Sequence, residues 1–145
     1  FYTNACPQHA ILNQGEWNNL EEYILGNAGV HELKVSVFTG PVFRNNDIEY
    51  RGVKIPTEFW KVVVFVREDT GELSATSYLL SQKDRLDDLE EVFVFGEFKT
   101  YQVPVSRIER SANISFGALK KYDPLNSQPQ SIAIRPLSSL TEIVF

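Results

Sequence analysis

The chain has no methionine, a single cysteine and only two histidines among its 145 residues. Without a methionine, Phe1 is not a translational start, and the chain is expected to continue from an upstream segment of a longer polypeptide. Cys6 has no internal disulfide partner, so cysteine usage fixes no redox compartment and the localisation stays unassigned. One Cys and two His without ligand spacing make a zinc centre unexpected. There is no Gly-x-Ser-x-Gly elbow for a serine hydrolase and no glycine-rich phosphate loop for a nucleotide hydrolase. No apolar run approaches about 18 residues, so no membrane partner is expected. Positive charge is not in excess either: 14 Lys and Arg face 19 Asp and Glu, a net charge of -5. That balance argues against tight stoichiometric nucleic-acid binding by this piece alone, while leaving room for a local basic groove.

What is present is globular. A hydrophobic fraction of 43% and an aromatic fraction of 12% are enough to build one core. Residues 1–5 read as extended. Trp17, Leu20 and Ile24 recur at the spacing of a buried helical stripe, which predicts a helix over about 13–25 ended by Gly26 and Gly29. The β-branched alternation of "LKVSVFTG" (33–40) predicts a strand, with Gly40-Pro41 turning the chain. "FWKVVVFV" (59–66) is nearly continuous in apolar residues, as in a central strand buried on both faces. The turn "EDTGE" (68–72) and the run "LSATSYLL" (73–80) predict an antiparallel hairpin. "DRLDDLEE" (84–91) reads as an acidic, solvated segment, and "FKTYQVPV" (98–105) as a strand leading into a short helix from Pro104 to about Ala112. After Tyr122 the composition shifts to Pro, Ser, Gln and Asn, a linker or tail whose final "LTEIVF" can dock as a strand.

The stretch "ILNQGEW" (11–17) places an Asn and a Gly where the first helix should begin. Counting about 100° per residue from Asn13, the stripe residues fall within about 40° of it and Glu21 lies about 80° away. One helical face then carries an amide oxygen at its head and a carboxylate two turns on. An Asn carbonyl suits Mg²⁺, which keeps most of its waters, and a carboxylate behind the ligand can hold one of those waters. Spacing alone leaves a plainer reading open, in which Asn13 caps the helix and Glu21 is solvated.

A further pattern runs along the chain: "FYTNACPQ", then "LNQGEWNNLEEYI", "VFTGPVF", "IPTEFWKVVV" and "FKTYQVPVSRIERSANISFGALKKYDPL". In this order, over roughly residues 1–125, the chain resembles the DNA/RNA non-specific endonuclease family, the endonuclease G-like ββα-metal (His-Me finger) nucleases. The resemblance implies an α+β fold, with a largely antiparallel central sheet and the metal-bearing helix packed on one face. Residues 1–125 would be the C-terminal portion of a nuclease domain and 126–145 a tail. It implies a sequence-tolerant, Mg²⁺-dependent endonuclease acting on DNA, RNA or both and leaving 5′-phosphates, with Mn²⁺ or Ca²⁺ as substitutes. Asn13 would be the sole direct protein ligand, Glu21 would orient a water on the ion, and Asn4 and Gln8 would support the site and line the substrate cleft.

Departures from the family pattern are specific. The Asp-Arg-Gly-His segment that carries the general base is absent and is expected upstream of Phe1, on the same polypeptide or on a cleaved piece that stays associated through the sheet. His9 matches a variable loop, and His31 an edge position. Leu25 stands where many relatives have a phosphate-clamping arginine. Lys61 reads as a surface lysine more readily than as a cleft cation. A homodimer is compatible with the family. The rival reading is a degenerate nuclease fold retained as a nucleic-acid or protein interaction module.

Overall fold

The computed structural model describes residues 16–30, 34–81, 99–128, 134–137, 139 and 142–144. The expectations placed on 1–5, Asn13, His9, His31 and 84–91 lie outside the described residues. Helix α1 spans Glu16–Val30. Strands follow at Val35–Val42 (β1), Ile48–Tyr50 (β2), Val53–Ile55 (β3), Glu58–Val66 (β4), Leu73–Ser81 (β5) and Lys99–Val103 (β6). Helix α2 (Val105–Ala112), a 3-10 turn at Leu119–Tyr122 and strand β7 (Arg135–Pro136) complete the order.

Five strands form one antiparallel sheet in the order β1-β4-β5-β6-β7. Strand β4 organises it. Side chains alternate along a strand, so odd and even positions face opposite ways. Phe59 and Val63 join Tyr78, Leu80, Leu20, Ile24 and Ile143 in a core on the α1 face. Trp60, Val62 and Val64 join Ala75, Leu79, Val103, Val105 and Ile108 in a second core on the α2 face. Covering both faces requires the nearly continuous apolar run of 59–66, interrupted by Lys61, and an α+β architecture with two α-helices among the described residues results.

Two local signals gave way to packing. Helix α1 continues through Gly26 and Gly29 to Val30 instead of stopping at 25. A glycine inside a helix costs roughly 1 kcal/mol without forbidding it, and the docked Leu20 and Ile24 hold the segment down. Gly40-Pro41 likewise does not turn the chain but lies within β1, paired to Trp60 and Phe59. β1 is an edge strand among the described residues, the kind of strand in which a proline is tolerated. Gly40 is required sterically: a Cβ there would sit 2.7 Å from Cζ2 of Trp60. The indole cannot swing aside easily, because its Nε1 donates to the Pro41 carbonyl at 3.1 Å and it packs T-shaped with Phe116, ring centroids 5.5 Å apart. Gly40→Ala is therefore expected to cost about 1–3 kcal/mol, seen as a lower urea midpoint with an unchanged slope.

Between β1 and β4 the chain makes a further hairpin, β2–β3. Its two-residue turn, Arg51-Gly52, has φ of 53° and 78°, the pattern of a type I′ connection. The expected β4–β5 hairpin is present, closed by Arg67 N donating to the Glu72 carbonyl at 2.8 Å. The expected short helix after β6 is α2, with Pro104 at its N-cap. Described parts of the C-terminal stretch dock on the body. Arg135–Pro136 pairs with β6, and Ile143 enters the core under α1.

Candidate functional site

Leu20 and Ile24 turn one face of α1 onto the sheet. Glu21 follows Leu20 by about 100° of helical rotation, which puts it on the flank of that contact with its side chain 45% exposed. Below it, Lys61 occupies the middle of β4 and is 0% exposed. It shares the α1 face with Phe59 and Val63, and its Nζ donates a hydrogen bond to Glu21 Oε1 as an ion pair. Burial pulls the Lys61 ammonium below the usual lysine range, while the Glu21 hydrogen bond and charge push the other way.

The strand register extends this polar spot into a row. Lys61 pairs with Thr39 of β1 and Tyr78 of β5, and Tyr78 pairs with Gln102 of β6. Cross-strand partners point to the same side, so these four residues form a polar row across the sheet face that carries α1. The Tyr78 hydroxyl lies 3.1 Å from that of Thr76, and burial raises its pKa far above the ordinary tyrosine range. Gln102 is fully buried and clamps the backbone of Val144: its Nε2 donates to the Val144 carbonyl at 2.6 Å, and its Oε1 accepts from Val144 N at 3.0 Å. The C-terminal segment is thereby fixed against the sheet face that carries α1. It is held there by a side chain, not as a continuing strand.

Of the residues singled out from sequence, Glu21 is described, whereas Asn4, Gln8 and Asn13 lie outside the described residues. Leu25 is exposed. Arg107 and Arg110 belong to α2, whose buried residues Val105 and Ile108 sit in the core on the opposite face from Glu21. Lys61 is corrected: it is a buried partner of the candidate site and not a surface lysine. Its signal was available, because it shares the odd-numbered phase of Phe59 and Val63 inside an apolar run, where a charge has to be paired. Among the described residues no three His, Cys, Asp or Glu side chains gather as a ligand set.

The family model for DNA/RNA non-specific endonuclease matches residues 1–123. The chain belongs to this family. The match runs from the first residue through the Asn13 segment, α1, the central sheet and α2 to Asp123. The uncharacterized protein y4fB of Sinorhizobium fredii (strain NBRC 101917 / NGR234) is 37% identical over 123 residues, which cover 79% of this chain and 18% of the relative. The chain thus spans less than a fifth of that protein's length. In this member of the family the antiparallel sheet and the two α-helices among the described residues agree with the expected α+β class.

Proposed function

We propose that the intact polypeptide is a divalent-metal-dependent endonuclease of the ββα-metal (His-Me finger) type that hydrolyses DNA or RNA phosphodiesters without regard to sequence. The family match over residues 1–123 carries this reading. The half-exposed carboxylate of Glu21, tied to the sheet by Lys61, supports it. The residues fit a hydrated Mg²⁺: a neutral amide oxygen at Asn13 and a carboxylate at Glu21 are hard oxygen donors, with Mn²⁺ or Ca²⁺ as substitutes. When bound, the ion neutralises charge developing on the scissile phosphate and the departing 3′ oxygen. Asn13 would hold it, Glu21 Oε2 would orient a water, and Asn4 and Gln8 would line the cleft. A histidine in an Asp-Arg-Gly-His segment upstream of Phe1 would take the proton from the attacking water. The water oxygen joins phosphorus, the bond to the 3′ oxygen breaks, and a 5′-phosphate and a 3′-hydroxyl result. Contacts confined to the backbone make such cleavage sequence-tolerant.

The test is plasmid nicking by the full-length polypeptide with Mg²⁺ against EDTA. Nicking with Mg²⁺ that EDTA abolishes, on substrates of unrelated sequence, is the expected result. Retained nucleic-acid binding without cleavage at any Mg²⁺ concentration would replace this reading with that of an interaction module.

A further inference from the structure

We infer that Lys61 is a positioning residue for the proposed metal site, acting through Glu21; the inference rests on the function proposed above. The first ground is an imbalance of burial within the pair. Lys61 is 0% exposed, whereas the Glu21 side chain is 45% exposed. Taking an ammonium out of water is expensive, and a half-solvated carboxylate returns only part of that cost. An apolar side chain of similar length at position 61 would pack between Phe59 and Val63 without that penalty. The ion pair with Glu21 therefore adds little net stability, and what the lysine supplies there that an aliphatic residue cannot is a donor fixed on that carboxylate.

The second ground is geometric. β4 lies between β1 and β5, paired along its whole length, and is covered on both faces. It is a rigid base. From it, Lys61 Nζ reaches Glu21 Oε1. Glu21 Oε2 has no partner among the described residues, and the exposure of the side chain leaves it open to water. One oxygen is thus anchored to the sheet while the other faces solvent, as expected of a group that holds a water of a hydrated cation in a fixed direction. The row formed by Thr39, Lys61, Tyr78 and Gln102 places polar neighbours along the same line across the sheet.

The test uses the full-length protein and Mn²⁺ as the probe, with Lys61→Met, Lys61→Gln, Glu21→Gln and the Lys61→Met/Glu21→Gln double variant. In EDTA, Lys61→Met is expected to melt no lower than wild type. Its Mn²⁺ dissociation constant by calorimetry should rise by about 10-fold or more, and kcat should fall by about 10–100-fold with KM nearly unchanged. The double variant should be no worse than Glu21→Gln alone, because both changes act on one carboxylate. Wild-type Mn²⁺ affinity in Lys61→Met, or losses that multiply in the double variant, would overturn the inference. So would metal-free melting points lowered equally in Lys61→Met and Lys61→Gln, which assign the lysine a structural role. Loss of Mn²⁺ binding in Glu21→Gln with none in Lys61→Met defeats this inference alone. Intact metal binding and cleavage in Asn13→Ala and Glu21→Gln defeat the site reading beneath it.

Discussion

Asn13→Ala in the full-length polypeptide is expected to lower Mg²⁺-dependent cleavage by more than the roughly 10–100-fold that losing a group behind a metal ligand costs. The amide oxygen is proposed as the one direct protein contact to the ion, so its removal leaves the hydrated cation held only by waters and substrate. Saturating Mg²⁺ should restore part of the rate, since what is lost first is affinity. Glu21 should matter less, because it acts through a water. The pair with Lys61 decides how that comparison is made. Glu21→Ala removes the charge that offsets a fully buried ammonium, and breaking such a pair from the exposed side is costly. Its activity would fall partly through misfolding. Glu21→Gln keeps an oxygen acceptor for Lys61 Nζ and is the cleaner variant. Titrating nicking rate against Mg²⁺ for wild type, Asn13→Ala and Glu21→Gln checks the order. An unchanged rate in Asn13→Ala would leave the metal assignment without support.

The sequence revealed those parts of the fold whose periodicity matches their environment. The run 59–66 announced a strand covered on both faces, and "EDTGE" announced the β4–β5 hairpin. Leu20 and Ile24 gave the docked face of α1. What misled was local chemistry overruled at a distance. Gly26 and Gly29 carry the intrinsic mark of a helix end, and Gly40-Pro41 that of a turn. Yet α1, docked upstream through Leu20 and Ile24, runs on through the first pair, and pairing with β4 holds the second in β1. The Arg51-Gly52 hairpin escaped prediction because its three-residue flanks are too short to show a periodicity. Lys61 shows the limit most clearly. Its residue type argued for the surface, its phase argued for the core, and phase prevailed because α1 supplied a carboxylate 40 positions away in the chain. No local pattern encodes that partner.

The same holds for Asp123, on which the second large effect is expected. Helix α2 begins at Val105 behind Pro104, whose side chain offers no cap to the exposed backbone N–H groups. The cap comes from 18 residues downstream. Asp123 Oδ2 accepts from Val105 N at 2.6 Å and Oδ1 accepts from Leu125 N at 2.8 Å, with the carboxylate buried. One side chain thus closes α2 and the start of the segment that follows the 3-10 turn, beside the buried Leu125. Asp123→Ala leaves two buried donors without partners and is expected to cost about 2–4 kcal/mol. Fluorescence of Trp60, which packs in the same core as Val105 and Ile108, reports the urea transition. The pH dependence follows from the carboxyl pKa, which burial raises above the ordinary aspartate value against the opposing pull of the two backbone hydrogen bonds. A raised native pKa means the folded state binds the proton more readily than the unfolded chain. Asp123 therefore contributes most below the ordinary value near 3.9, and part of that contribution is lost as pH rises through the native pKa. The stability gap between wild type and Asp123→Ala should accordingly narrow from about pH 4 to pH 7. A gap that widens over this range would mean that the two N–H donors outweigh burial, and that the ionised cap is the preferred native form.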